Sequence, residues 1–121
     1  MSFNNINVFD KKSQEDLLHK LISLSKVCVV TFSASWCNPC KLMNPIIDKI
    51  EKDYPNIEIV RINVDEDSAM VDAYGIQTVP VYILLKDGQI VSSVKSAMPE
   101  YRFKKELGLD ALEFGDNSTN A

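Results

Sequence analysis

Val27-Cys28-Val29-Val30-Thr31-Phe32-Ser33-Ala34-Ser35-Trp36-Cys37-Asn38-Pro39-Cys40-Lys41 is the stretch from which the rest of the chain can be read. Its first six residues are β-branched or apolar on both alternating faces, the pattern of a central strand covered on both sides. The segment from Ser35 to Lys41 then lies between that strand and the first turn of the helix after it, which places both cysteines at a helix N-terminus. Cysteines three apart on a helix share one face, within the ~4.4–6.8 Å Cα separation of a disulfide, so the pair can close and reopen with little backbone movement. An ordinary thiol, with a pKa of ~8.5, is only about 3% ionised at pH 7. Unsatisfied amides and the helix dipole favour an anion at the helix start. Cys37 is therefore the expected thiolate and attacker, and Cys40, one turn in and less exposed, the expected resolver. Pro39 in the first turn sacrifices no needed hydrogen bond.

Outward from this stretch, the apolar positions Leu42, Met43, Ile46, Ile47 and Ile50 recur at helical spacing from Asn38 to about Asp53. Charged residues fill the other face, and Pro45 inside the pattern is expected to kink it. Tyr54-Pro55-Asn56 closes the helix, and Ile57, Ile59, Arg61 and Asn63 with their apolar neighbours form the next strand, completing a right-handed βαβ unit. A short helix is expected from Glu66 to Tyr74, ended by Gly75. Residues 80–86 and 89–95 flank Asp87-Gly88, a two-residue hairpin signal. Pro99 fits the first turn of a last helix through Tyr101, Phe103 and Leu107, with Gly108 at its end. On the N-terminal side, Ile6 to Phe9 reads as a short strand. Ser13 with Asp16 resembles a capping box ahead of the apolar face Leu17, Leu18, Leu21 and Ile22. The core string is βαβαββα, an α/β class with a central mixed sheet flanked by helices.

A chain of 121 residues, 45% apolar and 25% charged, is expected to be one globular domain, residues 1–114, with a polar tail at 115–121. The net charge of −4 gives no reason to bind nucleic acid or an anionic membrane. The first fourteen residues hold no signal-like apolar run. The longest apolar stretch, Val79 to Leu85, is far short of a membrane span, so a cytoplasmic protein is expected. Three cysteines are too few for a disulfide scaffold and cannot all pair internally. A zinc site on the Cys-x-x-Cys pair would need two further ligands. Only Cys28, on the central strand, and His19, on the first helix, remain, so no metal is expected. Cys28 reads as a small buried apolar residue. His19 has no placed carboxylate and receives no catalytic role. Asp65, Glu66, Asp67 and Asp72 read as caps and solvated surface of a short helix.

The motif Trp36-Cys37-Asn38-Pro39-Cys40-Lys41, together with Tyr74-Gly75-Ile76-Gln77-Thr78-Val79-Pro80, resembles the thioredoxin family, and the likeness covers about Ile6 to Leu112. The resemblance implies a thioredoxin fold, a cis proline at Pro80 facing the disulfide, and thiol–disulfide exchange with protein substrates. By the same resemblance Trp36, Pro39, Gly75 and Ile76 belong to the apolar surface around Cys37, and the backbone at Val79 pairs with a substrate strand. It further implies no bound cofactor, a monomer, and electrons supplied by a thioredoxin reductase or another dithiol donor.

The chain also departs from the family's pattern. Asn38 stands where glycine is usual, beside Lys41, and both are expected to tune the redox pair. Thr31 stands where the family usually has a buried aspartate. Threonine cannot act as a base near neutral pH, so slower resolution by Cys40 is expected, with Arg61, in place of a common lysine, helping to manage charge. Ser33 and Ser96 replace a frequent aromatic and a frequent glycine on the substrate-facing rim. The expected activity is reduction of protein disulfides through Cys37 and Cys40. The alternative from a different class is a thioredoxin-fold binding adaptor or subunit with weak redox activity.

Overall fold

The computed structural model describes Ile22 and residues 26–112. The strand read at Ile6–Phe9, most of the helix after Ser13, His19 and the polar tail lie outside the described residues. Within them the elements run β1 (Val27–Ser33), α1 (Asn38–Asp53), β2 (Glu58–Asn63), α2 (Ser68–Tyr74), β3 (Val81–Lys86), β4 (Gln89–Val94) and α3 (Glu100–Leu107), followed by a 3₁₀ turn at Leu109–Ala111. The strands form one sheet in the order β2-β1-β3-β4. β1 lies parallel to β2 and antiparallel to β3, and β3 lies antiparallel to β4.

The double-sided apolar pattern of β1 is explained by its neighbours. Val27 and Val29 face Met43, Ile47 and Ile50 of α1 and Phe103 and Leu107 of α3. Cys28, Val30 and Phe32 point the other way, into a second core with Val60, Ile62, Met70, Ile83 and Ile22. A helix layer on each face removes water from both sides of the strand, which is why the run needs no polar alternation.

Local signals set the ends of the elements. Asp67 caps α2, its Oδ1 accepting the Met70 amide at 3.3 Å. The helix therefore begins two residues later than Glu66, because the capping carboxylate belongs to Asp67. Gly75 ends α2 at φ +64°, a left-handed conformation that glycine adopts without penalty. Asp87 and Gly88 take φ +52° and +80°, as a two-residue hairpin turn requires. α1 runs on through Pro45 to Tyr54, whose amide donates to Ile50 O at 2.8 Å. Pro99 is the cap of α3 and not a residue of its first turn; its carbonyl accepts the Phe103 amide.

Candidate active site

The βαβ crossover delivers α1 to the carboxyl end of β1, and its first residues carry the two cysteines. Cys37 is the N-cap of α1, with extended φ −92° and ψ 107°, and Asn38 and Pro39 open the helix. Its Sγ accepts the backbone N–H of Cys40 at 3.2 Å, so the sulfur takes the place a serine or aspartate oxygen occupies in an ordinary cap. No acidic residue sits in the first turn. The helix terminus is thus left to stabilise negative charge on Cys37 alone. Cys37 and Cys40 form a disulfide with Cα atoms 5.3 Å apart.

Both cysteines are buried, Cys37 at 4% and Cys40 at 2% exposure. The expected contrast in exposure between them is slight. What distinguishes the two sulfurs is the cap hydrogen bond, which comes from the position of Cys37 ahead of the helix. They pack with Ala34 at the end of β1, and Val64 and Val79 close over them. The Val79–Pro80 bond is cis, as the resemblance implied, and Pro80 is buried beside a half-exposed Val79.

Trp36, Ile76 and Val79 lie near the disulfide together with residues that the sequence did not single out. Trp36 is 65% exposed, and its indole Nε1 donates to Asp65 Oδ2 at 2.8 Å. Asp65 is itself positioned by its amide, which donates to Asn63 Oδ1 at 2.9 Å. A groove of about 250 Å³ runs from Trp36 along Val64, Val71, Ile76, Gln77, Thr78 and Val79. Trp36, Ile76 and Val79 are therefore brought together. Gly75 lines an adjoining hollow with Tyr74, Ile76, Gln77 and Thr78, while Pro39, Asn38 and Lys41 are exposed on the helix beside the cysteines. The sequence pattern marks Asp65 only as a cap or a solvated residue. The one signal for its role is its position just past the C-terminal end of β2, where sites of α/β sheets gather.

Thr31 is 4% exposed on the α1-facing side of β1, flanked in register by Arg61 on β2 and Tyr82 on β3. Arg61 reaches outward: its NH2 group donates to Asp48 Oδ1 and Glu51 Oε1 of α1, each at 2.9 Å. Its charge is compensated there, and it is not brought to the cysteines by any contact. Cys28 is fully buried and free, and burial, reinforced by Glu58 alongside, pushes its thiol up to about 12. Burial thus holds that thiol protonated near neutral pH. Among the described residues no group of three His, Cys, Asp or Glu side chains is placed to hold a metal ion. No helix among them is long and apolar enough to cross a membrane.

Comparison with known proteins places this geometry. The family model described as thioredoxin matches residues 7–108. Thioredoxin 2 of Chlorobaculum tepidum is 32% identical over 108 residues, covering 88% of this chain and 95% of that protein. Among solved structures, a thioredoxin from Nicotiana alata is 36% identical with a TM-score of 0.70, covering 79% of this chain and 84% of the other. A chain from a study of thiol resolution in yeast mitochondrial 1-Cys peroxiredoxin by the glutathione and thioredoxin systems is 29% identical with a TM-score of 0.73. That match covers 80% of this chain and 89% of the other.

Proposed function

Since the chain belongs to the thioredoxin family and is a thiol–disulfide oxidoreductase acting on protein disulfides, we propose that Cys37 is its attacking sulfur and Cys40 its resolving one. The observation that carries this assignment is the cap hydrogen bond, because among the described residues it is the Cys37 sulfur, and not that of Cys40, that receives a helix-terminal N–H. The Cys37 thiolate attacks one sulfur of a substrate disulfide; a mixed disulfide forms and the other substrate sulfur leaves as a thiolate. The Cys40 thiolate then displaces the second substrate sulfur, closing the Cys37–Cys40 bond. Two electrons pass to the substrate, and the protein is left oxidised.

Its substrate segment lies extended along the backbone at Val79, against the apolar surface of Trp36, Pro39, Gly75 and Ile76. Asn38 and Lys41, exposed at the helix start, adjust the poise of the pair, and Thr31 behind it supplies no base. Electrons return from a thioredoxin reductase or another dithiol donor. We assign the activity to a monomer in the cytoplasm, built as one domain over residues 1–114 with residues 115–121 as a tail; the chain's acidic balance agrees with partners other than nucleic acid or membrane.

Insulin reduction in the presence of dithiothreitol tests the reading. The chain should accelerate precipitation of the insulin B chain well above the dithiothreitol background. A rate equal to background would instead favour a binding adaptor that uses the same apolar surface.

A further inference from the structure

Two hollows meet beside the disulfide. The groove at Trp36 and a neighbouring hollow of about 260 Å³ share the ridge Ile76-Gln77-Thr78, which runs directly into Val79. Val81 and Ile83 of β3 give the second hollow a buried apolar floor, and Ile90 of β4, 60% exposed, lines it too. Thr78, Ser93 and Lys95, all exposed, bring polar groups to it. Among the described residues Lys95 is the one charged side chain lining either hollow. It has no ion-pair partner among them, whereas Lys49, Arg61, Arg102 and Lys104 each meet a carboxylate. Its charge is left uncompensated on a surface continuous with the one that takes the substrate segment, beside apolar walls that strengthen its local field.

We infer that Lys95 is a specificity-determining residue for the exchange reaction, selecting substrate segments that seat a glutamate or aspartate in the second hollow. This rests on the exchange reading of Cys37 and on Val79 as the edge that takes the substrate strand. A segment extended along Val79 passes the ridge, and its side chains reach the hollows that the ridge separates. Glutamate suits the second one: its methylenes lie against Ile83 and Ile90, and its carboxylate accepts hydrogen bonds from the Lys95 ammonium and the Thr78 and Ser93 hydroxyls. An ion pair at the rim of a contact stays partly solvated, so its effect is a few fold in rate and not orders of magnitude. One hollow takes one side chain. The preference therefore belongs to a single position beside the substrate cysteine and not to the total charge of the substrate.

Symmetric peptide disulfides of equal charge test the inference with the whole chain, pre-reduced and freed of reductant. Each peptide carries one glutamate, moved in turn through the positions up to three residues before and after the cysteine, with glutamine at the others; an all-glutamine peptide is the reference. The readout is the second-order rate of peptide thiol release. Each rate is divided by that of dithiothreitol on the same peptide, which removes the effect of the nearby carboxylate on the leaving thiol. At ~10 mM salt one position should give a normalised rate about threefold above the other glutamate positions. Lys95→Gln should bring that position level with the rest, and Lys95→Glu should push it below them. Lys105→Gln, an exposed change of the same charge on α3 that lines neither hollow, should leave the advantage in place. Level rates at every glutamate position, or an advantage that survives Lys95→Gln or vanishes in Lys105→Gln, would overturn the role of Lys95 while leaving the exchange reading intact. Failure to reduce even the glutamine reference would overturn the exchange reading, and the preference with it.

Discussion

Thr31 is the residue that bears most on the resolving role we propose for Cys40. It occupies the α1-facing side of β1, the helix that carries Cys40 in its first turn, and its hydroxyl cannot take a proton from a thiol near neutral pH. Thr31→Asp should therefore speed insulin reduction at pH 7 by a few fold. It should also lower stability by roughly 1–3 kcal/mol, the range for burying a polar group without a full set of partners, read as a fall in the urea midpoint. A variant that is destabilised but turns over no faster would show that proton removal does not limit the reaction. Cys28 marks the opposite extreme, a thiol made inert by the same burial that makes it a good core residue. Its character was legible from a β-branched run that left no polar face. The Trp36–Asp65 hydrogen bond was not legible, because it joins residues 29 apart in sequence and no local pattern encodes it.

At the scale of elements, α1 makes the chemistry and β3–β4 make the frame. The hairpin could be read from Asp87-Gly88 alone, since two consecutive left-handed residues suit few other sequences. The span of α1 followed equally directly from its apolar spacing, because Met43, Ile47 and Ile50 must all meet the same sheet face. The position of Cys37 as the cap, ahead of the first helical residue, is finer than a periodicity can resolve, and it decides which sulfur receives the N–H of Cys40. The first turn carries no acidic residue, so adding one tests the electrostatic account. Asn38→Asp places a carboxylate beside the sulfur and should raise the Cys37 thiol pKa by about 0.5–1 unit, followed by thiolate absorbance at 240 nm in the reduced protein. Asn38→Lys should move it the other way; no movement in either would remove the helix terminus as the source of Cys37 reactivity.

Across the whole molecule, two buried acids tie stability to alkaline pH. Burial raises Cys28 from the ordinary thiol range to about 12, and burial likewise raises Tyr82 from the ordinary phenol range to about 12. Both are held neutral by the fold, so the unfolded chain loses its protons first; the native state is favoured fully below pH 9, and that advantage is lost as pH rises from about 9 to about 12. The urea midpoint should fall across that window, and Cys28→Ala should flatten the first part of the decline. Neutral-pH redox work lies outside the window, which leaves the two active cysteines as the groups to be followed there. The most direct test of their roles is trapping of the mixed disulfide with a protein substrate, read by intact mass. Cys40→Ser should accumulate a covalent adduct through Cys37, while Cys37→Ser should accumulate none. An adduct on Cys40 in the Cys37→Ser chain, with Cys40→Ser left free, would contradict the assignment of the helix-capping sulfur as the attacker.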